Sequence, residues 1–282
     1  MTREDEIAIK QARTYIVAKS NTIVQKSRYD FTVAEQRTIA YICSKIKPLT
    51  VLDKANQVPF QLEYDFNISE YCKVCGIEDN GRQYEDVKAT LKALRDKSIW
   101  ITLPNGDETT VGWLAKATTN KRYQTAKIKL DEDMVPYLFD LKEKFLSYGL
   151  KNILNMKSQY SIRLYELLKS IHDQKGSFDH RDKLTKSKDP FVIDWEVYID
   201  ELKKTLMVDK IKTYENFAGF KRKVLEPAIK EINLLTDINV EYEPITKGRK
   251  VVKIQFKIVD KLFDEKCDAE WLNDDLLNGE EI

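Results

Sequence analysis

Residues 213–259 decide the fold: TYENFAGFKRKVLEPAIKEIN (213–233), INVEYEPI (238–245), TKGRK (246–250) and VVKIQFKIV (251–259). The first stretch spaces its apolar residues as a helix does, the second and fourth alternate as strands do, and the third is a basic turn around a glycine. A helix followed by a β-hairpin with a polar tip is the outline of a winged helix. The same order occurs about 133 residues earlier as RQYEDVKATLKALRDK (82–97), SIWITLP (98–104), NGDE (105–108) and TTVGWLAKA (109–117). Tyr84 aligns with Phe217, Val87 with Phe220, Lys88 with Lys221 and Leu91 with Val224. A unit stated twice predicts an α+β chain of two tandem winged-helix domains that grips duplex DNA at two adjacent sites.

The 282 residues suit two medium domains, and 42% apolar residues are enough for real cores. We place a first domain at 1–148, a second at 149–259 and an acidic tail at 260–282. The formal net charge of +1 conceals an uneven distribution. From Lys203 to Lys257 there are 13 Lys/Arg against 7 Asp/Glu, whereas from Asp260 onward there are 2 against 9. The second domain therefore carries a basic surface that the tail cancels in the total. No stretch approaches the ~18 apolar residues of a membrane span, and the N-terminus lacks the apolar core of a signal peptide. Four cysteines in a chain of this length make no disulfide framework, which points to a reducing cytoplasm.

Along the chain, residues 1–14 read as a frayed charged end and Tyr15 to Lys26 as a strand leading into a helix. Thr32 and Glu35 have the spacing of a capping box for a helix that Pro48 stops. Val58 to Asp65 alternates as a strand, and Ile68 to Cys75 is a short helix closed by Gly76. Gln124 to Leu130 is a strand, Asp131 to Leu141 a short acidic helix, and 142–157 a connector. Ser158 caps a helix reaching Ile171, 174–190 is a polar loop, 191–193 a short strand and Glu196 to Met207 a helix. In the tail, Trp271, Leu272, Leu276 and Leu277 are spaced for a docking helix.

Catalytic signatures are missing. The two histidines, His172 and His180, form no His-x-His pair to hold a metal for a strand-nicking tyrosine. Gly76 and Gly81 have the spacing of a phosphate loop, but Arg82 and Gln83 follow where a lysine and a hydroxyl residue are needed. Cys72 and Cys75 lack the further ligands of a structural zinc site and read as core. Asp131, Glu132 and Asp133 serve a helix start. We expect no enzymatic activity, no catalytic residue, no metal and no cofactor.

The chemistry lies in helix 213–233. On a helical wheel Phe217, Phe220, Val224, Ala228 and Ile232 share a buried face. The outer face collects Glu215, Asn216, Gly219, Arg222, Lys223, Glu226 and Lys230, with Lys221 beside them. Arg222 can donate twice to a guanine edge, Asn216 can pair with adenine and Glu215 can accept from cytosine. Gly219 clears space for close approach to DNA, and Pro227 bends or interrupts the helix by deleting a backbone donor and crowding the preceding turn. Lys247, Arg249 and Lys250 at the wing tip would lie along phosphates. The first copy presents Arg82, Gln83, Asp86, Ala89, Ala93 and Lys97, with an acidic wing tip at 105–108. That half binds DNA weakly or binds protein, and Ala89 and Ala93 would admit a second copy closely.

Four stretches resemble the replication initiators of iteron-containing plasmids. NTIVQKSRYDFTVAEQRTIAYICSKI (21–46) is similar to that family's first-domain opening, and MKSQYSIRLYELL (156–168) to the first helix of its second domain. FKRKVLEPAIKEIN (220–233) looks like its second recognition helix, and TDINVEYEPITKGRKVVKIQFKI (236–258) like the strands and wing that follow. The likeness covers roughly 15–259 and leaves out the loop 174–190 and the tail. It implies binding to direct repeats in double-stranded DNA at a replication origin. It implies further that a monomer opens the origin and recruits a host replicative helicase, while a dimer represses its own promoter. The rival readings are a winged-helix transcriptional regulator with no initiation role and a nickase or primase.

Overall fold

The computed structural model describes residues 15–46, 60–77, 81–139, 141, 145–175 and 192–261. The expectations for 1–14, for most of the loop 174–190 and for the tail helix lie outside them. Strand β1 (Ile16–Ser20), helix α1 (Asn21–Gln25) and the short β2 (Ser27–Arg28) lead into α2 (Val33–Lys45). The capping box forms as its spacing requires: the Thr32 hydroxyl accepts from the Glu35 amide, and the Glu35 carboxylate accepts from the Thr32 amide at 2.7 Å.

Next come β3 (Glu63–Asn67), α3 (Ile68–Val74) and α4 (Gln83–Asp96). Gly76, at φ +63°, ends α3 as expected. The hairpin of β4 (Ser98–Thr102) and β5 (Glu108–Gly112) carries β2 on the far side of β4. TTVGWLAKA is not one strand. The chain breaks at the buried Trp113 and enters a different sheet as β6 (Leu114–Asn120), which pairs with β7 (Thr125–Leu130), itself beside β3. Alternation alone hid the break, because both segments are extended.

The short acidic helix expected from Asp131 forms over 132–138, as a tight turn (Glu132–Met134) capped by the Asp131 side chain and running directly into α5 (Val135–Leu138). The stretch expected as a connector holds β8 (Phe145–Gly149) and α6 (Lys151–Leu154). Strand β8 pairs antiparallel with β1, Ile16 opposite Gly149 and Ser20 opposite Phe145. A division at 148/149 therefore falls within β8.

Helix α7 (Gln159–Lys175) follows, with the Ser158 hydroxyl accepting from the Tyr160 amide as a cap. The second winged helix comprises β9 (Val192–Tyr198), α8 (Ile199–Thr205), a long helix running from Phe217 to Leu235 (the reading helix that the sequence leads one to expect), β10 (Ile238–Lys247) and β11 (Lys250–Asp260). Its sheet is antiparallel in the order β10-β11-β9. The internal repeat survives as packing: Val87 and Leu91 are buried in the first domain, as Phe220 and Val224 are in the second.

Helix α7 joins the halves and is buried along one continuous run from Ser161 to Ser170. Toward the first domain, Arg163 donates to the Ser27 carbonyl at 2.8 Å and to the Tyr29 hydroxyl at 3.0 Å. The Glu166 carboxylate accepts from both Lys19 and Tyr148. Toward the second, the Tyr165 hydroxyl donates to Asp237 at 2.8 Å. Lys169 reaches Asp173, Asp237 and Asp260 at 3.1–3.5 Å. Burial alone would lower the pKa of both lysines, but the adjoining carboxylates outweigh it and hold both ammoniums above their ordinary range.

Lys19 and Glu166 are 4% and 2% exposed, so removing one partner strands the other in the core. Lys19→Met is expected to cost about 3–5 kcal/mol of stability, and Lys19→Met with Glu166→Leu much less. Urea unfolding of the three proteins checks this. A single variant with the wild-type midpoint would overturn it.

Candidate nucleic-acid interface

Helix α8 and the reading helix form the second domain's helix pair, and the β10–β11 hairpin forms its wing. The reading helix starts later than its periodicity predicts. Lys212–Tyr214 form a tight turn, and Asn216 caps the segment Phe217–Phe220 by accepting from the Gly219 amide at 2.7 Å. The Oδ1 of Asn216 is thus committed within the chain, and the two-bond pairing with adenine expected of it is not offered in this conformation. Gly219 is also reassigned. A Cβ there would lie 2.1 Å from the Thr213 carbonyl oxygen, so the glycine admits the protein's own backbone rather than DNA.

Pro227 interrupts the helix as expected, in a specific way. Lys221–Leu225 wind in a wide turn, with the Glu226 amide bonded to the Lys221 carbonyl, before a regular segment resumes at Glu226–Leu235. Phe220, Val224, Ala228 and Ile232 are buried as the wheel requires, and Phe217 packs half-buried against the same core. Arg222, Lys223, Glu226 and Lys230 are exposed, as is Glu215 at the approach to the helix. Lys221 is half-buried and pairs with Glu226 at 3.4 Å, which takes it partly out of the outer face. Glu231, on the flank, accepts from the Lys157 and Ser158 amides and ties this helix to the start of α7.

The wing is long and regular. Residues 238–247 pair with 250–260, with one irregularity at Ile245/Thr246, and Gly248 at φ +64° makes the turn. Lys247, Arg249 and Lys250 are all exposed at its tip. Helix face and wing thus present two separate groups of cations on one domain.

The first domain presents further cations on α4 and the β6–β7 hairpin, several of them paired at the surface: Lys92 and Arg95 with Asp96, and Lys121 with Glu85 at 3.2 Å. Arg82 is exposed at the start of α4, but the Gln83 amide donates to the Ile77 carbonyl at 3.0 Å and stabilises the preceding loop. Ala89 is exposed and Ala93 half-buried. Ala89 lies in a groove of about 550 Å³ between α4 and β6, bordered by Lys88, Lys92, Arg95 and Lys116. The wing tip at 105–108 is acidic, as read, but the β6–β7 hairpin presents Lys121, Arg122 and Tyr123 exposed. There Asn120 folds the turn by accepting from the Arg122 and Tyr123 amides. The sequence carries a signal for this second hairpin, Asn-Lys-Arg between two alternating runs, which the unbroken alternation of 109–117 masks.

No group of three or more metal-ligating side chains occurs among the described residues, and Cys72 and Cys75 are both buried. No helix among the described residues is long and apolar enough to cross a membrane.

Two family models match the chain: "Initiator Replication protein, WH1" over residues 16–169 and "Initiator Rep protein, WH2" over residues 198–258. A replication initiation protein of Escherichia coli is 26% identical over 272 residues, spanning 95% of this chain and 77% of the relative. The PI protein of Escherichia coli is 27% identical over 205 residues, 68% of this chain and 62% of the relative. Among solved structures, a Pi initiator protein in complex with iteron DNA superimposes with a TM-score of 0.64 at 21% identity, covering 88% of this chain and 98% of that one.

The two cationic groups should separate in binding assays. Arg222→Ala is expected to cost ~1–3 kcal/mol of discrimination at one base position. Replacing Lys247, Arg249 and Lys250 with Ala is expected to weaken all duplexes alike and to lower the salt slope of log K by about 1 for each phosphate that is no longer neutralised. Titration against matched and scrambled duplexes at several salt concentrations reads both. Equal weakening of both duplexes by Arg222→Ala, or an unchanged slope for the wing variant, would overturn the corresponding assignment.

Proposed function

Since the chain belongs to the family of initiator replication proteins with two winged-helix domains, and so binds DNA sequence-specifically to start replication, we propose that its target is a set of direct repeats in double-stranded DNA at a plasmid-type origin. It acts there by binding rather than by catalysis, in the cytoplasm. The observation that carries this reading is the exposed pair of Arg222 and Lys223 on the reading helix together with the cationic wing tip of the same domain. A cationic helix face suits the base edges of a major groove and a cationic hairpin suits the flanking phosphates. The family places this chain with initiators rather than with plain transcriptional regulators.

The first domain contributes a second, weaker contact through Lys88, Lys92 and Arg95 of α4 and the β6–β7 tip. Self-association, autoregulation of the chain's own promoter and recruitment of a host replicative helicase complete the proposal. A dimer closed over Ala89 and Ala93 would cover those α4 cations, so monomer and dimer would grip DNA differently.

Footprinting on the replicon that encodes the chain tests the target. The expected result is protection of direct repeats spanning about two helical turns each (~20 base pairs) beside an AT-rich stretch. Protection confined to one palindrome would reject it. Sedimentation across concentration tests the self-association surface: Ala89→Trp, which blocks close approach, should shift the protein toward monomer. Identical behaviour of wild type and variant would remove this face from the interface.

A further inference from the structure

Lys203, on α8, is 6% exposed, although it belongs to a helix whose other face meets solvent. Its Nζ donates to the Glu215 carbonyl at 2.8 Å and lies 5.6 Å from the centroid of the Phe220 ring. Burial holds its pKa below the ordinary lysine value. A buried ammonium is costly, so its position needs a structural return.

That return is the geometry of the reading helix. Glu215 directly precedes the Asn216 cap, and its amide closes the tight turn on the Lys212 carbonyl. Asn216 then accepts from Gly219, which lies against the Thr213 carbonyl. This approach segment is therefore held internally at two points and to the rest of the domain by Lys203. The cation also sits over Phe220, the first fully buried residue of the helix, so one group fixes both the segment and the rotation of the helix's first turn.

We propose that Lys203 is a positioning residue for sequence recognition: it sets the orientation in which the reading helix presents its exposed side chains to base edges, without touching DNA itself. This rests on the reading that the helix occupies the major groove. Nonspecific attraction depends on charge and tolerates small rotations, whereas hydrogen bonding to base edges does not. Loss of Lys203 should accordingly reduce discrimination and leave phosphate attraction in place.

The test uses the full chain, a duplex that the wild type selects from a random-sequence pool, and a scrambled duplex of equal length. Lys203→Met should weaken binding to the selected duplex about tenfold while affinity for the scrambled duplex and its salt slope stay unchanged. Lys203→Arg, which keeps a cationic donor, should restore most of the ratio. Should Lys203→Met not fold by circular dichroism, Lys203→Gln takes its place under the same criteria. An unchanged ratio overturns the proposal, and so does equal weakening on both duplexes with a reduced slope, which would make Lys203 a phosphate contact. Arg222→Ala serves as the control: if it leaves the ratio unaltered, the helix is not the reader, and that reading fails independently of Lys203.

Discussion

The architecture depends on one buried helix that holds charges on both of its sides. From Ser161 to Ser170, α7 has no solvent-facing stretch, yet it carries Arg163, Glu166 and Lys169. Each finds partners in a different place: Arg163 on the β2 backbone and Tyr29, Glu166 on Lys19 and Tyr148, Lys169 on Asp237 and Asp260 of the second half, with Asp173 one turn along α7 itself. An apolar helix could slide or rotate between two apolar surfaces at modest cost. A helix with buried charges cannot, because every displacement leaves an ion without its partner in a medium of low dielectric. The buried charges thus add a restriction on register to the apolar packing of Ile162, Leu164, Tyr165 and Leu168 on the same helix.

The same economy governs the reading helix. Several residues that look like recognition chemistry are occupied with building the element that displays it. Asn216 caps, Gly219 yields to the Thr213 carbonyl, and in the first domain Gln83 holds the Ile77 carbonyl. What remains exposed on the helix is a small set of cations, Arg222, Lys223 and Lys230, with Glu226 among them. A short reading set on a firmly anchored helix suits recognition in which a few contacts must each be well placed.

Much of this was legible in the chain itself, and the failures share a cause. Elements specified by local chemistry emerged where expected: the Thr32–Glu35 box, the Gly76 stop, the interruption at Pro227 and the Lys247–Lys250 turn. The two-domain fold followed from a repeat in which Val87 and Leu91 are buried in one copy and their counterparts Phe220 and Val224 in the other. What escaped was pairing between distant segments. Strand β8 looks like linker because its partner β1 lies more than a hundred residues away, and β6 merges with β5 because nothing local marks a change of sheet. For the interface, residue type identified the candidates. Whether Asn216 or Gln83 was free to meet DNA depended on which backbone groups lay nearby, and composition carries no record of that.

The wide turn at Lys221–Leu225 has a geometric consequence for the surface. In a regular helix, residues eight apart differ in direction by about 80°, so Arg222 and Lys230 would face different sides of a groove. A wide turn adds a residue without adding its full rotation, and so brings the two toward a single line along the helix. The segment behaves as a regular helix with one residue inserted. Removing one residue within it would straighten the winding and keep the flanking halves in phase. Removing one anywhere else in the helix would swing one half away from the other by about 100°. The length of this segment, as much as its composition, is therefore part of how the surface is specified.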